Sequence, residues 1–161
     1  MMPDDAGARW AATALAVVDG LERRLTAAIA PLDPEDLGWR PNEESNSIAN
    51  LVLHLRGNLR QRFLAGFGGE ADDRDRAAEF ADRSHPPASV LLERLREGFS
   101  PLRATLERVQ KDPSLLDARR TIQGEEATLR DTLVRALAHT SEHGGQILYI
   151  AKARRGALHL D

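Results

Sequence analysis

The sequence predicts an all-α protein, a four-helix bundle with long inter-helix connections. Three observations carry this expectation. Four stretches of roughly 20 residues or more repeat apolar side chains at i, i+3, i+4 and i+7, the rhythm of amphipathic helices. Proline- and glycine-rich segments separate them, two of which are too long for simple turns. The chain has 161 residues, 42% of them hydrophobic and 29% charged, enough for one domain (1–161) with a sizeable core.

The first helix is expected from about Asp5 to Ala30, with Trp10, Ala14, Val17, Val18, Leu21, Leu25, Ala28 and Ile29 as its apolar positions. Pro31 and Pro34 end it, and Asp33 caps a short helical piece after Pro34. The second helix should begin within Asn42–Ser47, which is rich in capping residues, and run on Ile48, Leu51, Val52, Leu55, Leu59 and Phe63. Beside this stripe lie Ser47, Asn50, His54, Asn58 and Gln61, an uncharged strip that predicts a polar-lined cleft between helices. Gly66, Gly68 and Gly69 stop the helix.

Residues 70–87 then read as a long polar connection, with Asp72–Arg76 a solvated run and Phe80 its anchor. Ser89 is the expected cap of the third helix, whose stripe is Leu92, Leu95, Phe99, Leu102, Leu106 and Val109. A second connection, residues 111–128, contains a small hairpin around Gly124. Thr128 and Asp131 resemble a capping box opening the fourth helix, which buries Leu129, Leu133, Ala136, Ile147 and Ala151. Gly144 and Gly145 lie within it at a propensity cost of roughly 1–2 kcal/mol, which implies close approach of a neighbouring helix.

Composition excludes several kinds of chemistry. Without cysteine there is no disulfide, thiolate metal site or cysteine nucleophile. A net charge of −3 with interspersed signs argues against nucleic-acid binding. No apolar run approaches the roughly 20 residues of a membrane span, and the acidic N-terminus does not read as a secretory signal. A cytoplasmic location is the resulting expectation.

The histidines carry the functional signal. His139 and His143 are four residues apart, about 400° and ~6 Å along a helix, so both imidazoles share a face. His54 stands at the core-facing margin of the second helix. If the two helices are neighbours, three neutral imidazoles converge, a set that binds zinc, nickel or a similar divalent cation and leaves coordination positions open. Thr132 and Gln146 flank the pair on the fourth helix. His85, before two prolines, and His159, in the C-terminal tail, do not join this pattern. Glu142 falls about 80° off the ligand face and is not assigned as a ligand.

Ser47–Asn58 with the upstream Trp39-Arg40-Pro41-Asn42, and His139-Thr-Ser-Glu-His143-Gly-Gly-Gln146-Ile147, resemble the DinB/YfiT-like superfamily of metal-binding four-helix bundles. Asp75-Arg76-Ala-Ala-Glu79-Phe80 resembles a loop word of a branch of unknown function. The resemblance spans nearly the whole chain. It implies an up-down-down-up type bundle, a divalent metal on His54, His139 and His143, and a homodimer.

Characterised members of the superfamily are thiol-dependent transferases and isomerases using bacillithiol or mycothiol. The resemblance thus implies a low-molecular-weight thiol as co-substrate beside a small-molecule substrate. Asn58 and Gln146 are candidates to support the ligands or face a cofactor, with ordinary interhelical hydrogen bonding as the alternative. Two function classes follow. One is a metal-dependent transferase or hydrolase that activates a thiol or a water. The other is a non-catalytic metal-binding bundle acting through a ligand or a partner surface.

Overall fold

The computed structural model describes residues 5–156, and its main elements follow the apolar periodicities. Helix α1 spans Asp5–Ile29, α2 Pro34–Gly38, α3 Ile48–Arg60, α4 Arg76–Ala81, α5 Ala88–Lys111 and α6 Leu129–Arg155. A two-stranded antiparallel hairpin, β1 (Arg119–Ile122) and β2 (Glu125–Thr128), precedes α6, with Arg119 opposite Thr128 and Ile122 opposite Glu125. The long helices α1, α3, α5 and α6 form the bundle. Helix α1 packs against α5 and α6, and α3 packs against the same two, so α3 and α6 are neighbours.

One continuous apolar cluster fills the space between them. Leu25 and Ile29 of α1, Leu51 and Leu55 of α3, Phe99 and Leu102 of α5, and Leu133 and Ile147 of α6 are all buried in it. Burying a side chain of this size stabilises by about 1.5–3 kcal/mol, which is why the stripes, rather than intrinsic propensity, hold the helices. No helix among the described residues is long and apolar enough to cross a membrane.

The helix ends follow local chemistry. Asp33 accepts from the backbone N–H of Asp36 and caps α2. Ser47 caps α3, with Asn50 completing a reciprocal capping box. Thr128 is both the last residue of β2 and the cap of α6. Ser89, however, does not cap α5. The helix begins at Ala88, and the Pro87 carbonyl, held in extended backbone by its ring, accepts from the N–H groups of Val90 and Leu91. Beyond Arg60 the second bundle helix continues as a π-helical turn, Gln61–Gly66, before the glycines end it.

Two other expectations need correction. The polar strip on α3 is not the wall of an open cleft, because residues 72–82 are laid across it. Asn50 Nδ2 donates to the carbonyls of Glu79 (2.9 Å) and Asp82 (3.0 Å), and Gln61 Nε2 donates to Asp72 (2.8 Å). Arg40, held extended before Pro41, reaches both Asn50 and the Asp82 carbonyl. The Asp72–Arg76 run is therefore docked rather than simply solvated, and Asp75 caps the short α4 inside it. The glycine pair in α6 also divides. A Cβ on Gly144 would meet the Leu21 side chain at 3.0 Å, so α1 does approach closely there, whereas Gly145 has open space.

At the far end of α6, the buried Asp36 carboxylate accepts from Arg154 Nε and Arg155 Nε, both at 2.8 Å. The basic helix end thus has a specific partner in addition to the helix dipole.

Candidate metal centre

His54 from α3 and His139 and His143 from α6 meet between the two helices. One ligand nitrogen from each can be chosen so that all lie within 4.8 Å of one another. Ring centroids are 5.0 Å apart for His54 and His139, 4.9 Å for His54 and His143, and 4.5 Å for His139 and His143. The His54 and His139 Nε2 atoms approach to 3.0 Å. With metal–nitrogen bonds of ~2.05 Å, two imidazoles on one tetrahedral zinc have nitrogens about 3.3 Å apart. The set could therefore hold a shared divalent cation once the side chains adjust.

Two of the three rings are held so that Nε2 is presented. His54 Nδ1 lies 3.0 Å from Glu79 Oε2, and His143 Nδ1 lies 2.9 Å from Gln146 Oε1. In each case the acceptor oxygen favours the Nδ1–H tautomer, at His54 against the Arg74 Nη2 donor 3.2 Å from the same nitrogen, leaving the Nε2 lone pair for a metal. Nδ1 of His139 is buried without a hydrogen-bond partner among the described residues. Burial, then the neighbouring His143 and His54, then Arg62 and Arg74, hold the His139 pKa down at about 4. It is thus a neutral imidazole at neutral pH, the form a metal requires.

Glu79 is the functional residue that sequence reasoning missed. Its carboxylate is shared between His54 and Arg74, which donates from Nε (2.8 Å, to Oε1) and Nη2 (2.9 Å, to Oε2). Arg74 also donates from Nη1 to Gln61 Oε1 at 2.8 Å. Burial alone would push the Glu79 carboxyl up. The hydrogen bonds and charges of Arg74 and His54 outweigh it and bring the pKa below the ordinary value. A carboxylate–imidazole pair behind a metal position orients the ring and makes it a stronger donor.

Gly57 makes this arrangement possible, since a Cβ there would stand 1.9 Å from Glu79 Oε1. A glycine inside α3, beside the polar strip, was the available sequence signal. Phe80 packs on the His54 ring with centroids 4.7 Å apart, so the expected anchor of the connection also walls the site.

The other candidates separate. Gln146 touches His143, in keeping with a supporting role. Asn58 does not reach a ring nitrogen and instead accepts from Arg62 Nε at 3.0 Å. Thr132 is buried one helical turn before Ala136 and donates to the Thr128 carbonyl. Glu142 is exposed and lines a cleft of about 570 Å³ with Pro41, Leu51, Gly145, Gln146 and Tyr149. His85 is remote, 3.2 Å from the Pro34 carbonyl, and His159 lies outside the described residues.

Comparison with known proteins places the chain in a family. The crystal structure of a DinB-like protein from Bacillus cereus is similar over 90% of this chain and 89% of that one, with a TM-score of 0.63 and 16% identity. At that identity the likeness shows the fold. A comparison with curated proteins found no match. The family model described as "protein of unknown function (DUF1572)" matches residues 5–158. The chain therefore belongs to this family of unknown function, DUF1572.

Proposed function

We propose that the protein is a divalent-metal-dependent enzyme whose cation is held by His54, His139 and His143. The observation that carries this reading is the convergence of three imidazoles, two of them with Nδ1 engaged by an acceptor oxygen. A cation there supplies Lewis acidity and lowers the pKa of a thiol or water brought to it. The protein's own part is to hold the three rings, with Glu79 and Gln146 fixing two tautomers, and to exclude water on the Phe80 side.

The roughly 570 Å³ cleft lined by Gln146, the residue that touches His143 Nδ1, offers room for a small molecule on that side of the triad. Superfamily resemblance makes a thiol-dependent transfer the reaction to test first.

Purified protein should carry about one divalent metal per chain, and alanine at His54, His139 or His143 should remove most of it. Elemental analysis checks this; equal metal in the wild type and all three variants defeats the assignment. The loaded and chelated proteins should then be compared on electrophilic substrates with a panel of low-molecular-weight thiols. Turnover with water alone would make the protein a hydrolase.

The fold should not depend on the metal. The apolar cluster is continuous through all four bundle helices, unlike the small core of a zinc finger. Chelated protein should keep its helical circular dichroism and melt at a lower temperature. Unfolding on chelation would make the metal structural.

A further inference from the structure

A second cleft, of about 190 Å³, opens between the β-hairpin and the bundle, and its chemistry is cationic. Arg62, Gln123, Glu125, Thr132 and Arg135 line it. Arg62 comes from the π-helical turn after α3, and its Nε donates to Asn58. Arg56, Arg74, Arg103 and Arg154 each hold a carboxylate, whereas Arg62 holds none among the described residues.

Its half-buried guanidinium has Arg135 and Arg74 as its charged neighbours, and burial first, then those two charges, depress its pKa. Arg135 pairs with Glu125 at a long 3.9 Å, both side chains largely exposed, and has the exposed Asp131 as a further acidic neighbour. Arg74 is already held by Glu79, but Arg62 and Arg135 have no close carboxylate between them among the described residues, and an anion bound there would relieve their mutual repulsion. The cleft adjoins the triad, since Arg135 is one helical turn before His139 and the Arg62 charge acts on that ring.

We propose that Arg62, positioned by Asn58 and assisted by Arg135, binds an anionic group, a carboxylate or a phosphate, of the molecule on which the triad acts. The identity of that molecule as a substrate rests on the function proposed above, but the anion site itself does not. A guanidinium presents a planar fork of N–H donors that matches both groups. Asn58 thereby gains a role that its distance from the ring nitrogens denies it at the metal.

The test uses the full-length chain after chelation, so that no metal can hold the anion. Inorganic phosphate and succinate are titrated separately by isothermal calorimetry. Saturable binding of either supports the proposal, and the tighter of the two identifies a phosphorylated or a carboxylate ligand. Arg62→Gln should weaken binding about tenfold or more, as expected on removing a charged hydrogen-bond donor.

Arg62→Lys should retain part of the affinity, and Arg119→Gln, on the exposed hairpin, all of it. Arg135→Gln, at an exposed position that the fold does not depend on, should give a several-fold loss and stands in should Arg62→Gln fail to fold. Absence of binding by both probes overturns the proposal, as does equal affinity in the wild type and both Gln variants. Metal content of Arg62→Gln should equal that of the wild type. A protein that binds the anion but no metal would defeat only the function proposed above.

Discussion

Gly57→Ala should weaken metal binding about 10–100-fold and lower stability by roughly 2–4 kcal/mol, although residue 57 touches neither metal nor substrate. The new methyl would stand 1.9 Å from Glu79 Oε1, a distance no real contact tolerates. Glu79 must move, and it cannot move without releasing Arg74 and His54 together. Arg74 and Glu79 are 6% and 10% exposed, so separating them leaves charge with little water to receive it. His54 at the same time loses the acceptor that fixes its tautomer.

Glu79→Gln tests the chemistry without the steric push. It keeps an oxygen for His54 Nδ1–H but removes the charge, and should cost about tenfold in affinity with unchanged circular dichroism. Metal titration with a competing chelator, together with thermal melts, measures both variants. Wild-type affinity in Gly57→Ala would show that the carboxylate behind His54 does not matter.

Acid should strip the metal over a window that reaches unusually low. Imidazole binds a cation only when neutral, and a free one protonates near pH 6.5. His139 is already held neutral down to about pH 4, by burial first and by the neighbouring His143 and His54 next. Proton competition at this ligand therefore starts well below the ordinary value, and complete release should require pH near 4.

The sign for the metal-free fold is the same. An unfolded chain protonates His139 near pH 6.5 and the folded chain near 4, so the unfolded state binds more protons in between. Stability should consequently fall as pH drops from about 6.5 to about 4. Metal retention after gel filtration and melts of chelated protein across that range follow both effects. Full release by pH 6, or a flat stability profile of chelated protein over the window, contradicts this account.

The fold and the clustering of the three histidines were legible in the sequence because both are written in local periodicity. Stripes such as Leu51–Leu55–Leu59 name the buried faces, Ser47 and Thr128 mark helix starts, and a four-residue spacing stacks His139 on His143. His54 could be added because it borders such a stripe. Glu79 and Arg74 were not legible, since they reach His54 across 25 and 20 residues from a segment without apolar rhythm. A run of alternating acids and bases resembles solvated surface until its partners on another helix are known. The polar strip was noticed, but a strip facing an open cleft and one covered by a docked segment have the same sequence. Ser89 failed as a cap because the preceding proline had already set the extended geometry.

The docked connection has a kinetic consequence. Residues 72–82 are attached to α3 mainly by hydrogen bonds from Asn50, Gln61 and Arg40 and by the Glu79 carboxylate, with Phe80 as an apolar contact on His54. Segments held this way open locally at lower cost than bundle helices joined through a continuous core. Each opening removes the acceptor from His54 and the aromatic wall beside it while the bundle stays intact. Amide exchange in this segment should accordingly be faster than in α3. The rate at which a bound cation departs should follow that exchange rather than global unfolding, so thermodynamic stability of the bundle and lifetime of the metal can be tuned independently.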